Sequence, residues 1–263
     1  MQSAGANLVK PRRKLLWLAA LVVGVLGLGG WGGWQYTQQS GSPSVQEIDR
    51  WRMQAMVGHE EHAMPALKRA AQSASSESRI AAQRALGEVL LRKPETALDG
   101  IRYAEQAANQ GDAAAQLMLG KAYFDGTGTR TKVPDMVSAR RWLEGAAEKK
   151  NAPAMYLLGL MDKGGYGGKV DAKQSVQWFA KAVQLEHPEA MFMLANAYAN
   201  GEGVAKDEQQ ALRLYKAAAE HENPLAAQVL AMAYHEGGLG LQQDKKEAAQ
   251  MMREVEHILS HPH

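Results

Sequence analysis

Residues 187–223 read HPEAMFMLANAYANGEGVAKDEQQALRLYKAAAEHEN. Ala190, Leu194 and Tyr198 fall at i, i+4 and i+8, which makes one apolar stripe along a helix. Gly201 and Gly203 then break the pattern, where a helix ends and the backbone needs positive φ. Asp207 follows as a cap whose carboxylate accepts from the free N–H groups of a second helix. That helix presents a large residue, Leu214, and one turn later the small pair Ala218-Ala219, which lets a neighbouring helix come close. The stretch is a helical hairpin. One hairpin cannot bury its own apolar face, but stacked hairpins can.

The chain supplies the stack. Segments like MLANAY at 193–198 recur as ALGEVL at 85–90, MLGKAY at 118–123, LLGLMD at 157–162 and VLAMAY at 229–234. Their leucines, Leu86, Leu119, Leu158, Leu194 and Leu230, are 33, 39, 36 and 36 residues apart. A second series, Tyr103, Trp142, Trp178, Leu214 and Met251, is spaced 39, 36, 36 and 37 and reads as core. A third, Asp135, Asp171, Asp207 and Asp244, is spaced 36, 36 and 37. Three series with one period define the fold class: all-α, a solenoid of helical hairpins.

Residues 187–223 resemble a Sel-1-like repeat, the 36-residue relative of the tetratricopeptide repeat. The resemblance rests on Ala190, Leu194, Tyr198, Gly201, Gly203, Val204, Asp207, Ala211, Tyr215, Ala218 and Ala219. It departs at Ala195, where the family has Gly, and at Asp162 in the preceding unit, where Tyr is usual. It covers roughly 78–259. It implies a right-handed solenoid whose first helices line the concave face. It also implies an interaction scaffold for proteins or peptides, with no catalytic role.

A binding surface should vary between units while keeping a helical spacing. One stripe on the first helices does so: Leu117, Lys121 and Phe124; Tyr156, Leu160 and Lys163; Phe192, Asn196 and Ala199; Gln228, Met232 and His235. Aromatic and Met side chains there are candidate anchors for a partner. Packing between units is the rival explanation.

The rest of the chain divides around this array. A basic tail (1–14) precedes LLWLAALVVGVLGLGGWGGW at 15–34, twenty uncharged residues that match a bilayer core as a helix. Lys10, Arg12, Arg13 and Lys14 come just before it, and the first basic residue after it is Arg50. The charge bias places the N-terminus in the cytoplasm and the repeats on the other side of a single-pass anchor. The resemblance to bacterial members of the repeat family implies that the membrane is a bacterial inner membrane and the far side the periplasm. Trp34 and Tyr36 suit the outer interface. A cleaved signal peptide is the competing reading, though no A-x-A-like site follows. Gly27, Gly29 and Gly32 match G-x-G-x-x-G only formally, because they lie inside an apolar run and not in a βαβ unit. A linker (35–44) leads to an N-terminal helical region (45–77). Ser44 and Glu47 form a capping-box pattern there, starting a helix near Val45 that runs to about Gln72 with a break expected at Pro65. A Ser-rich break covers 73–78. A degenerate first repeat or cap (78–111) is followed by repeats at 112–151, 152–187 and 188–223, then a last repeat with a C-terminal cap (224–263).

Composition excludes several functions. Four of the 30 basic residues lie in 1–34, which has no acid, so the remainder sets 26 basic against 28 acidic residues. That balance does not suit a nucleic-acid partner. With no cysteine, disulfides, thiolate metal sites and cysteine nucleophiles are impossible. His59-Glu60-Glu61-His62 is not H-E-x-x-H, and His257 with His261 lacks a third ligand. No catalytic, cofactor-binding or metal-ligating residue is identified, and no nucleophile-elbow or P-loop motif is present. The expected partner is another protein. Resemblance to bacterial membrane-anchored members of the repeat family implies one role, an immunity protein inhibiting a secreted antibacterial effector such as a lipase. The other role that fits is a scaffold of an envelope complex (secretion, polysaccharide export or cell division). A glycan-binding or small-ligand module is a lesser alternative, given few aromatics.

Overall fold

Small residues at helical spacing make this chain all-helical. The computed structural model describes residues 42–260. They form twelve α-helices and, among the described residues, no strand. The helices are α1 (Val45–Met56), α2 (Glu60–Ser73), α3 (Ser76–Leu91), α4 (Ala97–Asn109), α5 (Ala113–Asp125), α6 (Met136–Glu148), α7 (Ala152–Gly164), α8 (Ala172–Val183), α9 (Pro188–Asn200), α10 (Glu208–Glu220), α11 (Pro224–Glu236) and α12 (Lys245–Ser260). From α3 onward they pair as hairpins, and each hairpin packs on the next. The expected solenoid of hairpins is thus present. The expected basic tail, the membrane span and linker residues 35–41 lie outside the described residues, as does His261. Among the described residues no helix is long and apolar enough to cross a membrane.

Each unit is closed by two turns. The first-to-second turn follows the sequence reading. Gly126, Gly165, Gly201 and Gly237 end α5, α7, α9 and α11 at positive φ. Asp135, Asp171 and Asp207 then accept from the N–H groups of Ser138, Gln174 and Gln210, and Asp244 accepts from Lys246 and Glu247. The second-to-first turn has its own code, which the sequence reading missed. A left-handed residue (Gly111, Lys150, Glu186 or Glu222) precedes a cap (Asp112, Asn151, His187 or Asn223) that accepts from the third N–H of the next helix. Lys150 has φ of 60°, a conformation glycine adopts without steric cost. Lys150→Gly is therefore expected to raise stability by about 0.5–1 kcal/mol, read as a small rise in Tm.

The core is built where the two helices of a hairpin meet. Leu86, Leu119, Leu158, Leu194 and Leu230 are all buried, as are Ala107, Ala108, Ala146, Ala147, Ala218 and Ala219. Each buried leucine contributes about 1.5–3 kcal/mol. The second series holds at Leu214, which is buried, and needs correction at its aromatic members. Tyr103, Trp142 and Trp178 are only half-buried. The neighbouring residue fills the core instead: Leu143, Phe179 and Tyr215 are at most 3% exposed. Leu143 and Phe179 sit over Gly120 and Gly159, where an added Cβ would lie 2.5 Å from the facing side chain. The tryptophans carry cations on their outer faces, Arg141 over Trp142 at 4.9 Å and Lys181 over Trp178 at 4.0 Å. Trp142 and Trp178 thus mark the rim of the core, one position before its centre.

Two further expectations shift. The N-terminal region breaks at Val57–His59, not at Pro65, which lies inside α2. Gly58, at φ of 97°, takes the turn. The capping box of Ser44 and Glu47 forms as expected. The Ser-rich break is short, because α2 continues to Ser73 and α3 starts at Ser76.

Candidate binding face

First helices come close to first helices where α3 meets α5 and α5 meets α7, and the side they share is here called the inner face. Between α1, α3 and α5 this side opens into a cleft of about 530 Å³. Ala114, Leu117 and Met118 of α5 supply its apolar lining, with Lys121 beside them. Arg52 and Asp49 of α1 and Arg84 and Glu88 of α3 complete it. Arg52 pairs with Asp49 and Glu88, and Arg84 Nη1 donates to Asp112 at 2.6 Å.

The stripe expected from sequence lies on these helices. Leu117, Phe124, Tyr156, Leu160, Phe192, Asn196 and Ala199 are half-buried. Lys121, Lys163, Gln228, Met232 and His235 are exposed, with Met232 54% accessible. The rings are braced from beneath. Tyr156 stacks on His187 (centroids 5.1 Å, 22°) and leans on Phe179 (6.1 Å). Phe192 meets Tyr215 at 5.9 Å, and the Tyr215 hydroxyl donates to Asn196 Oδ1 at 2.6 Å. Phe124 meets Tyr166 edge to face at 5.6 Å. Lys163 pairs with Glu202. Each of these rings is half-buried and packed against another ring, so packing and partial exposure coexist at these positions.

Charges near the middle of the stripe were not legible in sequence. His187 lies in the turn before α9, with Glu189 Oε2 3.1 Å from its Nδ1. Burial pushes the imidazole below its ordinary value, Lys121 acts in the same direction, and Glu189 opposes them. Burial, with Glu189 adding to it, pushes the Tyr156 phenol up. In the preceding unit the Tyr123 hydroxyl donates to Glu105 at 3.0 Å, and burial with that neighbour pushes it up to about 12. The Tyr123 phenol is thereby held as a protonated donor to Glu105.

At Asp162, where the repeat usually has Tyr, the chain builds an ion pair. Arg140 Nη2 donates to Asp162 Oδ1 at 2.8 Å and to the Tyr166 carbonyl at 3.3 Å. Asp162 is buried, and its Oδ2 has no protein partner. Among the described residues no group of three or more His, Cys, Asp or Glu side chains is placed to hold a metal ion.

Comparison with known proteins agrees with this architecture. The family model described as Sel1 repeat matches residues 97–112, 113–151, 152–187, 188–223 and 224–254. The crystal structure of a Sel1 repeat protein from Oxalobacter formigenes is 27% identical, with a TM-score of 0.69 over 81% of this chain and 88% of its own. A protective antigen present in uropathogenic Escherichia coli, displaying an SLR fold, is 23% identical, with a TM-score of 0.56 over 85% of this chain and 56% of its own. No curated protein matches the sequence.

Proposed function

The chain belongs to the Sel1 repeat family, whose members are generally protein–protein interaction modules, and we propose that it binds a protein partner along the inner face of its first helices. The observation that carries this is the stripe itself. Side chains differ from unit to unit at one helical position, and Tyr156 and Phe192, packed on the buried rings of Phe179 and Tyr215, remain partly exposed there. Such rigid, half-exposed aromatics are the residue type that dominates binding energy. In this reading Tyr156, Phe192 and Leu160 are anchors, Lys121 and Lys163 set orientation, and Gln228, Met232 and His235 extend the surface into the last unit.

We further propose that residues 15–34 tether the module to a bacterial inner membrane with the repeats in the periplasm, on the strength of the uncharged span and the four cations before it. Protease added to membrane vesicles checks this, since the repeats should be digested in right-side-out vesicles and protected in inside-out ones.

Affinity capture of the detergent-solubilised full-length chain, followed by mass spectrometry, tests the partner class. One secreted hydrolase that loses activity on binding makes the chain an immunity protein. A stable set of envelope-complex subunits makes it a scaffold. A chain that retains only a glycan or other small ligand contradicts the protein-binding reading. Tyr156→Ala with Phe192→Ala is expected to weaken capture by at least tenfold, since each anchor is worth more than about 1 kcal/mol. Because both rings touch the core, this variant should also lose some thermal stability.

A further inference from the structure

Three of the four second-to-first turns are capped by a carboxylate or amide oxygen: Asp112, Asn151 and Asn223, at 2.8, 3.0 and 3.0 Å from the capped N–H. The fourth uses an imidazole. His187 Nδ1 accepts from Ala190 N–H at 3.4 Å. The same nitrogen lies 3.1 Å from Glu189 Oε2. These contacts make opposite demands. The cap needs a lone pair on Nδ1, whereas the carboxylate needs a proton there. One nitrogen cannot satisfy both.

We propose that His187 is a proton switch on the inner face: neutral, it caps α9 through Nδ1, and protonated, it gives up the cap and pairs with Glu189. This rests on the binding reading only for its consequence at the face. The stack of Tyr156 on His187 ties the state of the cap to the presentation of Tyr156. Protonation also puts a positive charge at a helix N-terminus, where the macrodipole opposes it. The charges acting on the ring are Glu189 from α9 itself and Lys121 from α5. Tyr156 of α7 faces it as a neutral ring. The fold lowers the imidazole pKa from 6.5. The cap's stability is therefore complete above that value and is lost as pH falls through the lower folded-state value.

The test is nitrogen NMR of the imidazoles in the full-length chain, with His187→Asn identifying the His187 signals. At pH 8 the proton is expected on Nε2, leaving Nδ1 bare. The ring should titrate below 6.5, and the Ala190 amide should move with the same midpoint, exchanging roughly fivefold faster relative to its intrinsic rate in the protonated state, the loss expected for a cap of about 1 kcal/mol. In His187→Asn the Ala190 midpoint should disappear. Glu189→Gln, which cannot hold the protonated ring by charge, should lower the midpoint further. A proton on Nδ1 at pH 8, or an Ala190 amide indifferent to the titration, overturns the switch. None of these readings involves a partner, so the switch and the binding face stand or fall separately.

Discussion

Arg140→Ala is expected to cost about 3–5 kcal/mol of stability, among the largest losses from a single substitution in this chain. The argument concerns what is left behind. Asp162 is 5% exposed, and among the described residues its one side-chain partner is Arg140. Its second oxygen is already unsatisfied. Removing the guanidinium strands a buried carboxylate with no hydrogen bond to either oxygen. Replacing both partners, Arg140→Met with Asp162→Leu, should lose far less, because no buried charge remains. Urea unfolding of the single and double variants measures the difference. If the double variant is as unstable as the single, the cost lies in lost packing and the ion pair matters little.

Gly203→Ala should cost about 3 kcal/mol, from a non-glycine left-handed residue and an overpacked contact together. Gly203 has φ of 71°, and a Cβ there would lie 2.2 Å from the Ala172 carbonyl oxygen and 2.4 Å from its carbon. The loop after α9 is pressed onto the start of α8 in the preceding unit, and only a residue without a side chain fits. Gly201 is the internal control. Its φ is 72°, yet the nearest atom to an added Cβ is 3.5 Å away. Gly201→Ala should therefore cost about 1 kcal/mol, from conformation alone. Equal losses for the two variants would show that the close approach carries no energy.

The contrast between these glycines shows what a sequence reveals. Both stand out at repeat spacing, and the period, the hairpin, the glycine stop and the Asp cap all follow from residue type and position. Those features are local, so one sequence suffices. What was not legible depends on contacts between units. Nothing in the order of residues separates Trp142 on the rim from Leu143 in the core, because both lie on one apolar arc. The helix break at Gly58 was hidden by the more conspicuous Pro65, which the exposed side of α2 tolerates. The Asp112, Asn151, His187 and Asn223 caps share a spacing but not a residue type, so they escape a search for identical letters. The cleft between α1, α3 and α5 draws on charged residues that precede the clear repeats. The inner-face stripe was visible as a pattern, but the bracing of its rings by Phe179 and Tyr215 was not.

That bracing shapes the most direct test of the inner face. Lys121→Glu with Met232→Asp changes two exposed stripe positions in units two and five, and Met232 is 54% accessible. Neither residue is part of the buried core. The decisive measurement is the affinity of this double variant for the captured protein partner, beside its melting temperature. A loss of at least tenfold with an unchanged melting temperature is the predicted result. Undiminished affinity would place the partner on another surface and contradict the account.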